Sequence, residues 1–469
     1  MKPKKLIAIL AALSMVSGLL LSVGCSSGTE SSSSGSAPAS GSVSATGEAS
    51  GDADKPYAGT TIHVLLNTHE YYDIADTYIP EFEEATGIDV VMEHVERVSL
   101  ATKQEMELGA HTGAYDIMLI DPSKATRYYE AGWVEPLGEW IASEDPAITD
   151  PDFDINDYIS AYTDLLTVDG NLCGLPAVGE TTMLFYRKDL FEQAGIDKVP
   201  ETWDEVEQAC IKLKALGVDA IGLRARAGEG LNCYIWPSFL YAYGGSYVDE
   251  NGYPVLNSPE AVAATQKFAD MINNYGPVGG SDMTHAEHIT SFQQGNLAMF
   301  YDASVFNNNF SDPELSKVTD VWMAAPAPMG SNGQGASAAA THALMLVKDS
   351  KNKEAAWQFM QWYTGKDLQR RVALDSKTFG AVVHQSVMDD PEYLEIFGGH
   401  NWVESFHESL ERMRPDYRLV SYAEWPYIGD RIGRAIQDTI TGIGTAQENM
   451  DALNEELTQF FIENGYVKQ

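Results

Sequence analysis

"YDIMLID", residues 115–121, decides the fold class. Ile117 to Ile120 is an unbroken apolar run held between Asp116 and Asp121. A run this short and this apolar fits a strand covered on both faces, as at the centre of a parallel sheet. Its neighbours agree. "TIHVLLN" (61–67) reads as a strand, followed by a polar, aromatic loop, "THEYYD" (68–73). An amphipathic helix through "ADTYIPEFEEATG" comes next, with Gly87 as its C-cap. "IDVVMEHV" reads as a second strand and "LATKQEMELGAHTG" as a second helix, so the body opens βαβαβ, an α/β layer pattern.

Further along, "LLTV" and "LCGLPAV" are short strands joined by Asp169-Gly170, a type I′ hairpin signal. In "GETTMLFYRKDLFEQAG" (179–195) a polar cluster precedes a strand, Met183 to Tyr186, and then a helix entry. Thr202 with Glu205 forms a capping box, and Ser258 with Pro259 opens another helix. "LAMFYD" (297–302), "VWMAAPAP" (321–328) and "HALMLVK" (342–348) read as strands, and helices dominate from there to the end.

The N-terminus gives an address. Lys2, Lys4 and Lys5 precede an apolar run from Leu6 to Val23, ending at Gly24-Cys25, the layout of an export signal. A Cys after a small residue resembles the lipidation site of bacterial lipoproteins, although Ser22 stands where that pattern prefers Leu. The other reading is an uncleaved anchor, since about 18 apolar residues can just span a bilayer. Of residues 26–54, 21 of 29 are Ser, Gly or Ala, too few apolar groups to offset ordering entropy. The expectation is a signal over 1–24, a lipidated Cys25, and a flexible tether over 25–56 reaching roughly 30 Å.

The net charge is −38, and −41 without the three signal lysines. That field repels nucleic acid and anionic lipid headgroups, so neither is an expected partner. Cys173, Cys210 and Cys233 allow at most one disulfide, and buried free thiols fit better. "DPDFDINDY" (150–158) has acidic residues at alternate positions, but Ile155 and Ala161 stand where a calcium loop needs Gly and Glu. His285 and His288 have no third ligand nearby in sequence, so no metal and no cofactor are expected.

"SFQQGNLAMFYDAS", "FYRKDLFEQAG…PETWDEV" and "SKNKEAAWQFMQWYTGKDLQRRV" resemble the extracellular solute-binding proteins of ABC importers, in the sugar-type, maltose-binding-protein-like family. "DGNLCGLPAVGETTMLFYRKDLF" and "LRARAGEGLNCYIW" are similar to its sugar and polyol branch, and the likeness runs in order along the whole body. The resemblance implies a two-lobed, periplasmic-binding-protein-like α/β fold with an inter-lobe cleft and hinge strands. Lobe one would take 57–178 and 349–388, lobe two 184–340 and 390–469, with hinges near 179–183 and 341–348. The chain would then be a monomeric, lipid-anchored carrier on the outer face of a Gram-positive cytoplasmic membrane, delivering a sugar or polyol to a permease.

Candidate ligand residues follow from position and chemistry. Asn67 and Glu70 follow the first strand, and Asp121 ends the third, at the carboxyl edge where α/β sheets bind ligands. Asp302 ends "LAMFYD" likewise, and "YDAS" lacks the "GxW" aromatic of many family members, which favours a small, hydroxyl-rich ligand. Arg224 could donate paired bonds to vicinal hydroxyls or balance a carboxylate. Trp236 and Trp425 could cover the C–H patches of a sugar, and the resemblance puts a stacking aromatic at Trp425. Glu180 and Thr181 would form the cleft floor, where maltose-binding-type proteins carry a Glu that contacts sugar. Two other readings stand beside this one: a surface glycoside hydrolase using two carboxylates, and a carrier of another cargo such as a polyamine.

Overall fold

The computed structural model describes residues 55–468. The expected signal, the Cys25 lipidation site and nearly all of the expected tether lie outside the described residues. Ten strands are present among the described residues: β1 (Thr61–Asn67), β2 (Asp89–Val95), β3 (Ile117–Ile120), β4 (Thr167–Val168), β5 (Asn171–Leu172), β6 (Leu175–Arg187), β7 (Asp219–Gly222), β8 (Leu297–Ala303), β9 (Trp322–Pro326) and β10 (Ala339–Leu346).

All four residues of β3 are buried, and the strand lies between β1 and β10. β1 pairs parallel with β2 and β3, as the βαβαβ opening requires. The loop expected over 68–73 is instead a helix from Glu70 to Ala75. His69 caps it: its Nδ1 accepts the Tyr71 backbone N–H at 3.2 Å. The helix expected beyond it is divided. A 3-10 turn over Asp76–Tyr78 separates it from Ile79–Thr86, where Pro80 near the helix start removes an N–H the helix does not use. Gly87, at φ 73°, ends that helix in the left-handed region. Asp169 and Gly170 (φ 49° and 78°) make the type I′ turn between β4 and β5. The capping box at Thr202 and the Ser258 cap both form.

β6 carries the architecture. The sequence suggested a strand starting at Met183, but the strand runs unbroken for 13 residues. Its run of Thr, Met, Leu, Phe and Tyr favours strand, while Pro176, Ala177, Gly179 and Glu180 are weak strand formers that tertiary pairing carries along. From Leu175 to Thr181 it pairs with β10, inside the sheet β2-β1-β3-β10-β6. From Thr182 on it pairs with β8 on one edge and β9 on the other, and β7 pairs with β8. One strand therefore belongs to two sheets. β10 pairs with β6 from Ala339 to Leu344 and with β3 from Ala343 to Leu346, and its register against β6 shifts between His342 and Ala343.

Each sheet has its own core. Around the first, Leu65, Met118, Leu344 and Leu175 pack with Trp357 and Phe359 of the helix Lys353–Thr364. Around the second, Leu184, Met299 and Ile221 pack with the helices Asn232–Ala242, Pro259–Tyr275, Trp425–Thr441 and Ala446–Glu463. A third cluster joins them, setting Tyr158 and Tyr162 against Phe185, Phe300 and Trp402. Cys173, Cys210 and Cys233 are buried and free.

Candidate ligand-binding cleft

The carboxyl ends of β1 and β3 face one another in the parallel sheet, and the residues just past strands β2 and β3 project there. Asp121, buried at the end of β3, accepts from Arg97 Nη2 at 2.8 Å, with Lys124 Nζ 3.9 Å away. Burial works against its ionisation, but Arg97 and Lys124 prevail and hold its carboxyl at about 2. Arg97 also points Nη1 at His342 Nε2, 3.2 Å away. An arginine only donates, so His342 accepts at Nε2 and carries its proton on Nδ1, which has no protein partner. Burial, then Arg97 and His69, keep this imidazole neutral. His69 lies edge-on to it, ring centres 5.0 Å apart, and burial with Arg97 lowers its own pKa to about 4. Asn67 spends Nδ2 on Thr68 O and leaves Oδ1 unpartnered.

The second sheet contributes a buried charge clamp. Arg224, past the end of β7, donates Nε to Asp302 Oδ2 at 2.9 Å, Nη2 to Asp302 Oδ1, and Nη1 to Gly230 O at 2.7 Å. Its guanidinium lies 4.7 Å from the ring centre of Tyr234, and Arg418 lies 5.2 Å from the same ring. Arg418 approaches Glu229 at 3.9 Å, and Trp425 Nε1 donates to Glu229 at 3.1 Å.

Glu180 stands between the two sets, on β6 opposite Ala340 of β10. Val178 pairs with His342 two residues back, so Glu180 and His342 project from the same sheet face. Burial pushes the Glu180 carboxyl up to about 7, against the pull of Arg224 and Arg97. The buried hydroxyls of Tyr162 and Tyr234 feel its charge and have no protein partner among the described residues.

Five expected ligand residues have other work. Thr181 is fully buried; its hydroxyl donates to Ala338 O, and its N–H to Ser304. Adjacent strand residues point to opposite faces, so Glu180 and Thr181 cannot both line one floor. Glu70 accepts from Asn308 Nδ2 and from Thr378 Oγ1 at 3.1 Å. Asp302 is 0% exposed and holds Arg224. Trp236 is a core residue, fully buried, with its indole N–H on Thr265 and its ring edge-on to Tyr247. Trp425 is likewise fully buried, presenting an edge to Tyr247 and its N–H to Glu229. Asn67, Asp121, Glu180 and Arg224 do come together.

Sequence reasoning missed Arg97, His342, Tyr162, Tyr234 and Arg418. Arg97 follows β2 and was open to the same strand-end rule that found Asp121. Tyr234 lies two residues before Trp236 on the same helix, with its ring against the Arg224 guanidinium. A separate concavity of about 400 Å³ includes Asp150, Asp152, Asp154 and Asp157. Asp150 and Asp154 accept backbone N–H groups of their own loop, and Asp157 accepts from Ser386. No group of metal-binding residues is present among the described residues.

The residues gathered around Glu180 form a largely buried polar cluster where β6 passes from one set of strands to the other, with paired charges and polar atoms unpartnered among the described residues. The family profile of bacterial extracellular solute-binding proteins matches residues 67–370. The chain belongs to this family. It is thus a binding protein that works outside the cytoplasm, and not an enzyme. This solute-binding protein is 28% identical to the mannitol-binding protein of Pseudomonas aeruginosa, over 81% of this chain and 87% of the relative. It is 26% identical to the erythritol/L-threitol-binding protein of Mycolicibacterium smegmatis, over 74% and 76%. Its fold matches an Agrobacterium radiobacter ABC transporter solute-binding protein in complex with ribitol: TM-score 0.76, 25% identity, 87% of this chain and 100% of the other. The Agrobacterium vitis protein with bound D-mannitol gives a TM-score of 0.73 and 26% identity, over 87% and 100%.

Proposed function

We propose that this protein captures a small polyol and presents it to the permease of an ABC importer. The observation that carries the reading is what the cleft offers a ligand. Its cations (Arg97, Lys124, Arg224, Arg418) equal its carboxylates (Asp121, Glu180, Asp302, Glu229) in number, which suits a neutral guest. Its aromatic faces are already taken: two guanidinium groups cover Tyr234, and Trp236 and Trp425 are buried. Hydroxyl partners are plentiful and stacking platforms are not, which favours an open-chain polyol over a pyranose or an oligosaccharide. The relatives named for mannitol and erythritol support the same class.

In this reading the lobes divide as 57–178 with 349–388 and 184–340 with 390–469, with β6 and the start of β10 crossing between them. Closure about those strands sequesters the ligand. Cys25 would carry lipid, and the Ser/Gly/Ala-rich tether would leave a monomeric body free to meet the permease at the outer face of a Gram-positive membrane.

A thermal-shift panel of alditols, hexoses, maltodextrins and polyamines tests the ligand class. A polyol at 100 times its dissociation constant should add about 2.7 kcal/mol of stability. A response to polyamines or maltodextrins alone would overturn the reading. Release of labelled sugar from an oligosaccharide would instead favour a hydrolase.

A further inference from the structure

His94 lies on β2 level with Leu66 of β1, one residue before the paired strands end at Asn67 and Val95. Its imidazole is partly buried, and both ring nitrogens face acceptors. Nε2 lies 2.7 Å from Asp76 Oδ2, and Nδ1 lies 3.4 Å from the backbone oxygen of Asn67. A carboxylate and a peptide carbonyl only accept, so the ring serves both only when each nitrogen carries a proton. The neutral ring has a single proton to give. The shorter bond to the Asp76 carboxylate keeps it, and the Asn67 carbonyl is left facing a lone pair.

The groups around the ring favour its charged form. Asp76, in the 3-10 turn, is fixed by a second donor: Tyr363 Oη, on the helix Lys353–Thr364, reaches its Oδ1 at 2.5 Å. Asp73, on the helix Glu70–Ala75, adds a further negative charge. From that same helix Tyr72 lays its ring nearly parallel to the imidazole, centres 6.1 Å apart, and burial pushes its phenol well up. On β2 itself the neighbouring Glu93 points to the other face, where it accepts from Lys103 and Tyr115. The hydrogen bond to Asp76 outweighs partial burial and raises the His94 pKa above its ordinary 6.5. Asn67 is what the second contact positions. Its side chain is buried, with Nδ2 spent on Thr68 O and Oδ1 unpartnered among the described residues.

We propose that His94 is a pH-dependent positioning residue: as an imidazolium it bridges Asp76 to the Asn67 carbonyl and holds the end of β1 in place at the polar cluster. This rests on that cluster being the solute site. The sign follows from the direction of the shift. The bridge is complete below pH 6.5 and is lost as pH rises through the higher folded value. Solute affinity should therefore be greater at pH 6 than at pH 8.5. Glu180 titrates in the same window, at about 7, and His69 below it, at about 4. His94→Gln keeps both, so the difference between the two proteins isolates His94.

Asn67-Thr68 is the only Asn-Thr pair in the chain, so a carbonyl-13C label on Asn and a 15N label on Thr give a single NMR cross-peak for this peptide bond. In the ligand-free full chain the Asn67 carbonyl shift should titrate between pH 5.5 and pH 9 with a midpoint above 6.5. In His94→Gln it should stay flat. A flat wild-type titration, a midpoint at or below 6.5, or an unchanged titration in the variant would overturn the proposal. The first two outcomes need no variant, so a poorly folded His94→Gln cannot obscure them. Calorimetric titration with D-mannitol, ribitol and erythritol gives the second readout. For an alditol that binds, the loss of affinity from pH 6 to pH 8.5 should be greater in wild type than in His94→Gln by about threefold or more. Equal losses would make the contact a purely structural one and overturn the proposal. Failure of every alditol to bind would reject the ligand class, and the carbonyl titration would still decide the bridge.

Discussion

Arg224 spends three of its N–H donors inside the protein, two on Asp302 and one on Gly230. Asp302 in turn accepts the N–H of Ala303 at 2.7 Å, which fixes its carboxylate before the arginine arrives. Both side chains are buried, at 6% and 0% exposure. Removing one partner of such a pair leaves an uncompensated charge, at a cost of about 3–5 kcal/mol. Asp302→Ala is therefore expected to lose that much in urea unfolding, and polyol affinity with it, although Asp302 has no surface left for a ligand. A loss below about 1 kcal/mol would show that water or another group satisfies Arg224. The strand-end rule placed both residues at the site from sequence. It could not say which one faces the ligand, because that depends on a pairing 78 residues apart along the chain. Glu180 and Thr181 contrast with this: strand alternation already separates their faces, so choosing between them was possible without coordinates.

Elements were read best where local chemistry sets them. The turn at Asp169-Gly170, the caps at Thr202 and Ser258 and the central β3 all depend on residues within one or two turns of each other. The reading failed at the helix Glu70–Ala75, whose tyrosines are buried by tertiary contacts: Tyr71 Oη reaches the Tyr363 carbonyl at 2.7 Å. It also failed over the length of β6, where Gly179 and Glu180 looked like an interruption. Gly179 is there for space, since a Cβ would lie 2.4 Å from Cε2 of Tyr162. The ring crosses the strand at that point and is fully buried, so it cannot swing into solvent. Gly179→Ala should thus destabilise by about 1–3 kcal/mol, the usual range for overpacking. Adding Tyr162→Ala should recover part of the loss, because the double variant removes the clashing ring. A double variant no better than the sum of the two singles would place the strain elsewhere, in the backbone of β6 itself.

At the scale of the whole molecule, two sheets with separate cores share β6, and few polar contacts reach from one to the other. Glu70 makes one of them. It lies at the start of the helix after β1, and its two oxygens accept from Asn308, in the short helix after β8, and from Thr378, in the segment after the helix Lys366–Ser376. The Thr378 bond stays within the first lobe, whereas the Asn308 bond reaches across to the second and exists only while the halves are together. Opening would break the Asn308 bond and leave the Thr378 bond inside the first lobe, so the Asn308 bond alone should contribute to closure. Hydrogen bonds to a charged group contribute about 1.5–3 kcal/mol when buried, and this one is only partly buried, so about 1 kcal/mol is a fair expectation. Glu70→Ala should then weaken polyol binding roughly 5-fold. The loss should appear mainly as faster dissociation, since the contact forms after the ligand is enclosed. Stopped-flow fluorescence gives both rates, and the ligand-free melting temperature should fall by only about 2–4 °C, from loss of the Thr378 bond. A slower association with unchanged dissociation would mean that Glu70 meets the ligand first, in the role its position after β1 had suggested. Unchanged rates would mean that closure does not use this contact.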